Sequence, residues 1–125
     1  MRLRTRLALW GPVVLYLGLL FFLSGQREIP GSEYFWDKLL HTCAYAVLGV
    51  LVLRASHGGL GDLRPWPAVA SVLFTIGYGI TDEVHQSFVP GRFSSSLDVA
   101  ADAVGAIVAL VAVLVYTLSR RGERL

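Results

Sequence analysis

The chain has 125 residues, enough for one small domain or one small membrane bundle, with a net charge of +2 and a hydrophobic fraction of 54%. Its mean hydropathy of +0.59 comes from long apolar runs rather than from an alternating pattern. A single cysteine, Cys43, excludes an intramolecular disulfide, and three scattered histidines offer no zinc-type spacing.

The first apolar segment, 7–23, follows Arg2, Arg4 and Arg6. It is too long for the core of a secretory signal, and Leu23-Ser24-Gly25 is a poor cleavage site, so a retained span is expected. The second segment runs from about Leu39 to Leu53, the third from Pro67 to Ile80, and the fourth from Val99 to Leu118. A span needs roughly 17–25 residues. The second and third reach that length only by including polar residues at one end: Asp37, Lys38 and His41 on one, Asp82 and Glu83 on the other. Arg54 and Arg64 flank the connection between them, and Arg120, Arg121 and Arg124 follow the fourth segment. Eight of the eleven basic residues therefore fall on one side, leaving Arg27, Lys38 and Arg92 on the other. The bias of Lys and Arg toward the cytoplasm predicts an all-α membrane protein. Four transmembrane helices form two hairpins, with both termini cytoplasmic and residues 1–125 making one domain in the cell membrane. The basic residues obey this topology rule and give no support for nucleic-acid binding.

The two outer connections echo each other. Gln26 and Gln86, the only glutamines, are each followed four and five residues later by Pro-Gly, at an offset of 60. Two readings stand: two hairpins repeated about an axis along the membrane normal, or coincidence in two polar turns. On the fourth segment Ala101, Gly105 and Ala109 form a small-residue stripe suited to close helix packing within the chain.

Seven of the nine acidic residues lie at the outer helix ends: Glu28, Glu33, Asp37, Asp82, Glu83, Asp98 and Asp102. Carboxylates near hydrocarbon are costly unless paired, hydrated or used. Asp37, His41 and Tyr45 share one helix face at i, i+4 and i+8, with Lys38 beside them. Asp82 and Gln86 are four apart, whereas adjacent Asp82 and Glu83 point about 100° apart and should find different partners. Arg92, after the Pro90-Gly91 turn, is a candidate anion clamp or a loop pin to Asp82, Glu83 or Asp98. Ser96 or Asp98 is expected to cap the last helix. Asp102 should be the most buried charge, partnered by Lys38, His41 or Arg92. His85 points away from this face, and Cys43 is expected in packed core. The candidate ligand-binding set is Asp37, Lys38, His41, Tyr45, Asp82, Glu83, Gln86, Arg92, Asp98 and Asp102. Neither a resident metal nor a cofactor is assigned.

These residues resemble the VanZ-like family of small bacterial membrane proteins. The resemblance is carried by Asp37-Lys38-Leu39-Leu40-His41 with Tyr45, by the run from Asp82 to Arg92, and by Asp98, Asp102 and Gly105. Phe22-Leu23-Ser24-Gly25-Gln26 is similar to the end of that family's first helix. Two departures stand out: Asp102 replaces the family's usual asparagine, and Thr42-Cys43 follows the histidine where an aromatic residue is common. The resemblance implies a link to resistance against lipid-bearing glycopeptides of the teicoplanin type.

Two functional classes follow. A binding protein would recognise a membrane lipid, a cell-wall precursor or a lipoglycopeptide at the polar site. A membrane enzyme would act on such a lipid with His41 as general base, supported by Asp37 or Glu83. A divalent-metal site built from Asp82, Glu83, Asp98 and Asp102 is a further alternative.

Overall fold

The structure is a computed structural model that describes residues 1–26, 34–92 and 94–125, the side chains of 34–36 excepted. Glu28, Glu33, Arg27 and the first Pro-Gly turn lie outside the described residues. Four helices make up the fold: α1 (Leu3–Ser24), α2 (Tyr34–Ser56), α3 (Pro65–Ser87) and α4 (Ser96–Gly122), and no strand occurs among the described residues. Each helix extends beyond its apolar run into the flanking polar residues, because local capping, not hydropathy, sets where a helix stops. Pro65 occupies the first turn of α3, where its missing N–H costs nothing. Ser95, rather than Ser96 or Asp98, caps α4: its backbone is extended and its hydroxyl accepts from the Leu97 N–H at 3.2 Å.

α1, α2 and α4 are each long and apolar enough to cross a membrane. α3 is as long as α2 at 23 residues, but is not among the helices apolar enough to cross. Its buried face reads Ala68, Ser71, Thr75, Gly79, Asp82 and Gln86, a stripe of small and polar groups turned toward the other helices. The bundle as a whole has the reverse of a soluble protein's distribution. Leu15 is 77% exposed and Phe22 62%, whereas Asp98 is 2% exposed and Asp102 1%. Apolar groups outside and polar groups inside suit a hydrocarbon surround.

α2 and α4 run parallel and make the closest pairing. A Cβ on Gly105 would fall 2.4 Å from the Thr42 carbonyl oxygen, and one on Gly49 would fall 2.6 Å from the Ala109 Cβ. The small-residue stripe therefore packs within the chain. α3 lies against both of these helices, and α1 lies against α2 and α3. Half-buried tyrosines tie α1 in place, the Tyr16 hydroxyl donating to the Ala44 carbonyl and the Tyr78 hydroxyl to the Leu17 carbonyl, each at 2.7 Å. A two-fold repeat of hairpins would match the α2–α3 contact with one between α1 and α4. Among the described residues α1 and α4 do not touch, so the sequence echo is not a packing symmetry. Gln26 and Gln86 also differ, the first exposed and the second buried.

The arginine-rich ends come together at one end of the bundle. The Arg54 guanidinium donates to the Ala8 carbonyl at 3.2 Å, and Arg121 pairs with Asp62 at 2.8 Å. That guanidinium holds the exposed Asp62 carboxyl below its ordinary range.

Gly105→Ala is expected to lower the thermal midpoint of detergent-solubilised protein, with overpacking costing about 1–3 kcal/mol. Gly77→Ala, whose new methyl would meet nothing within 4 Å, should be neutral or slightly stabilising. Thermal unfolding of the two variants against wild type checks the pair.

Candidate functional site

The acidic helix ends meet at the opposite end of the bundle, and rungs between α2 and α4 organise them. The Lys38 ammonium bonds to Asp98 and, at 3.2 Å, to Asp37. One turn deeper, His41 Nδ1 lies 3.0 Å from Asp102 Oδ1, and the Thr42 hydroxyl donates to the Ala101 carbonyl at 3.2 Å. His41 Nε2 faces Asp37 at 3.9 Å and Asp98 at 4.0 Å. Asp102 thus takes His41 as its partner, while Lys38 is committed to Asp98 and Asp37. Gly79 of α3 makes room for this pair, since a Cβ there would sit 2.9 Å from Asp102 Oδ2.

Asp82 and Glu83 do diverge, but not to the partners expected from charge. Asp82 Oδ2 accepts the Tyr45 hydroxyl at 3.1 Å. Glu83 accepts the backbone N–H of Ser95, the α4 cap residue, so it anchors the start of α4. Arg92 does not pin the loop to a carboxylate among the described residues. Val89-Pro90-Gly91-Arg92 forms a hydrogen-bonded turn, with Arg92 N–H donating to the Val89 carbonyl at 3.2 Å and Gly91 at φ 80°. From it the guanidinium donates to the Gln26 carbonyl at 2.8 Å and the Leu23 carbonyl at 3.3 Å. It caps the end of α1, where helix carbonyls lack partners of their own.

A cavity of about 210 Å³ opens beside this network. Its polar wall is formed by Asp37, His41, Tyr45, Asp82, Gln86 and Arg92. The rest of the lining is Leu20, Leu23 and Ser24 of α1 and Leu40 and Ala44 of α2. Lys38, Glu83, Asp98 and Asp102 do not line it, but Lys38 bonds the lining Asp37 and Asp102 bonds the lining His41. The α1 contribution was hidden from residue chemistry, because the leucine-rich C-terminal half of α1 carries no charge to signal a site. Its only polar mark was Ser24, which is buried and bonds His85 Nδ1 at 2.9 Å. His85 is turned to α1, stacked on Phe21 at 4.3 Å between ring centroids.

Several buried polar atoms have no hydrogen-bond partner among the described residues: Asp82 Oδ1, Gln86 Oε1, Arg92 Nε and Asp102 Oδ2. The first three belong to residues lining the cavity. Uncompensated buried polar groups are costly, so such atoms mark places where an outside group can bond.

The metal alternative changes its residues. Among the described residues Asp37, His41 and Asp98 each present one ligand atom within 4.8 Å of the others, in place of Asp82, Glu83, Asp98 and Asp102. Asp82 and Glu83 are drawn to Tyr45 and Ser95 instead. The Lys38 ammonium already bonds two carboxylates of the new cluster. Cys43 is exposed on the outside of the bundle rather than packed in the core, because a residue two positions after His41 points away from the α2–α4 seam.

Comparison with known proteins gives one match: the model of the VanZ/LLP1 family covers residues 7–118. No curated protein and no solved structure matches the chain.

Arg92→Ala is expected to destabilise the folded protein by about 1–2 kcal/mol by freeing the α1 carbonyls. Arg92→Lys should recover part of the loss, since one ammonium cannot reproduce the planar fork. Thermal unfolding checks this; an unchanged midpoint in Arg92→Ala would contradict the capping role.

Proposed function

The chain belongs to the VanZ/LLP1 family, and from that premise we propose that it binds the headgroup of an amphiphile lying in the outer leaflet of a bacterial cell membrane. The protein spans four times with both termini cytoplasmic. α3 supports this reading although it alone of the four helices is not apolar enough to cross by composition. Its 23 residues would extend about 35 Å, and its polar groups face other helices rather than lipid. The segregated arginines support the orientation.

The single observation that carries the function is the cavity's mixed lining. Charged and hydrogen-bonding side chains share it with leucine and alanine, and the cavity lies at the acidic end of the bundle. A ligand with a polar head and an apolar body matches both. Lipid headgroups, lipid-linked cell-wall precursors and lipid-bearing glycopeptides share that form. Protection against teicoplanin, whose acyl chain anchors it in the membrane, would follow from binding the drug or the lipid it depends on.

One observation favours a second reading, as a membrane enzyme. His41 is held by the buried Asp102 carboxylate at 3.0 Å and lines the cavity, an arrangement that orients an imidazole as a general base. Its partner is Asp102 rather than Glu83, which is occupied at Ser95. Thr42 is committed to the Ala101 carbonyl and Cys43 faces outward, so water would have to be the nucleophile.

Expression in a teicoplanin-sensitive Gram-positive host tests the reading. Wild type is expected to raise the inhibitory concentration of teicoplanin more than that of vancomycin. Gln86→Leu should reduce this protection by graded amounts at matched membrane levels. His41→Gln should spare most of it, whereas the enzymatic reading requires complete loss. No protection by well-inserted wild type would withdraw the resistance assignment.

A further inference from the structure

The cavity's unpartnered atoms specify the head it takes. Asp82 is 7% exposed and Gln86 1%, and both line the cavity. Asp82 Oδ2 is satisfied by Tyr45, which leaves Oδ1 with no partner among the described residues; Gln86 Oε1 is in the same state. The two residues are one helical turn apart on α3, so their oxygens form a pair of buried acceptors. Asp37 adds a second carboxylate to the same wall. Asp37 is already paired with the Lys38 ammonium. Arg92 also lines the cavity; its Nη1 is spent on the α1 carbonyls, while its buried Nε lacks a partner among the described residues. The lining residues therefore hold two acceptors and one donor without partners among the described residues.

We propose that the site selects a primary ammonium group, bound through its N–H donors to Asp82 Oδ1 and Gln86 Oε1, with a neighbouring ligand oxygen accepting from Arg92 Nε. The inference rests on the amphiphile reading above and gives it a headgroup class: an amine a few atoms from a phosphodiester or similar oxygen. Charge alone would not satisfy these acceptors, because a quaternary ammonium has no N–H to donate. An anionic head without an amine would leave both acceptors without a donor and would meet the Asp82 carboxylate with repulsion. The volume of about 210 Å³ holds a head of this size but not a whole lipid. The chain would leave across Leu23 and Leu40, which are 50% and 67% exposed at the rim.

Native mass spectrometry of the full chain, released from nanodiscs of equal parts phosphatidylethanolamine, phosphatidylcholine and phosphatidylglycerol, reads the preference directly. The ethanolamine and choline lipids share phosphate and positive charge and differ in the N–H donors. Retention of the ethanolamine lipid about tenfold or more above the choline lipid is expected, from the loss of charge-assisted hydrogen bonds. Asp82→Asn should abolish the preference: its amide can still accept from Tyr45 but turns a donor toward the ammonium. If that variant fails to fold, judged by circular dichroism, the wild-type comparison decides alone. Equal retention of the ethanolamine and choline lipids, or preference for the glycerol lipid, overturns the ammonium inference and leaves amphiphile binding standing. Water-soluble phosphoethanolamine, added as competitor, separates the sources of the amine. Failure to displace the lipid at millimolar concentration supports a membrane ligand. Displacement as effective as that by the lysolipid supports the ammonium site but overturns the amphiphile reading. Retention of no lipid at all overturns both.

Discussion

Two parallel helices, α2 and α4, approach so closely that only glycine fits at the crossing, and every feature of the acidic end depends on that approach. At Gly105 the backbone of α4 lies against the carbonyl of Thr42 and the amide of Ala46. The proximity fixes the register of three successive polar rungs: Lys38 to Asp98, His41 to Asp102, and Thr42 to the Ala101 carbonyl. Asp98 and Asp102 are buried beneath these pairings, so a slip by one residue would leave buried charge uncompensated. Small residues permit the contact, and the rungs make it specific.

The rest of the site is built outward from this seam. α3 enters through Gly79, which clears space for Asp102, and brings Asp82 under the Tyr45 hydroxyl. Glu83 holds the start of α4 through Ser95, and Arg92 holds the end of α1 through its carbonyls. Glu83 and Arg92 therefore act as supports. Beside them lies a cavity lined in part by leucine and by Asp82 and Gln86, whose Oδ1 and Oε1 have no partner among the described residues. The division of labour explains how so many carboxylates can share one helix-bundle end without mutual repulsion dominating. Most have a partner of fixed position, and the partly unpaired Asp82 faces the cavity.

Much of this was legible in the sequence because periodicity and charge segregation are strong signals. Four apolar runs gave four helices, and the i, i+4 spacing of Asp37, His41 and Tyr45 placed them on one face. The distance of Asp102 from the end of its segment marked it as a buried charge that His41 could pair. Where the reading went astray, the cause was a backbone partner. Arg92 and Glu83 look like members of a charge network when only side chains are counted, yet both satisfy main-chain groups at helix ends. Ser95 took the cap because of its extended backbone conformation, which composition does not reveal. The paired Gln…Pro-Gly turns suggested a symmetry that packing does not keep, since similar turns can join helices of different neighbours. The α1 wall of the cavity was invisible for a simpler reason: leucines carry no sign of what they face.

The pairing of Lys38 with Asp98 is the most direct test of this account, because it joins the two central helices where α4 enters the site. Lys38→Asp and Asp98→Lys, alone and together, can be compared by thermal unfolding and membrane yield. Each single exchange should destabilise the protein strongly, by about 3–5 kcal/mol, since like charges would meet in a buried position. The double exchange should recover a large part of that loss. Single variants as stable as wild type, or a double variant no better than the worse single, would contradict the claim that this seam holds the site together.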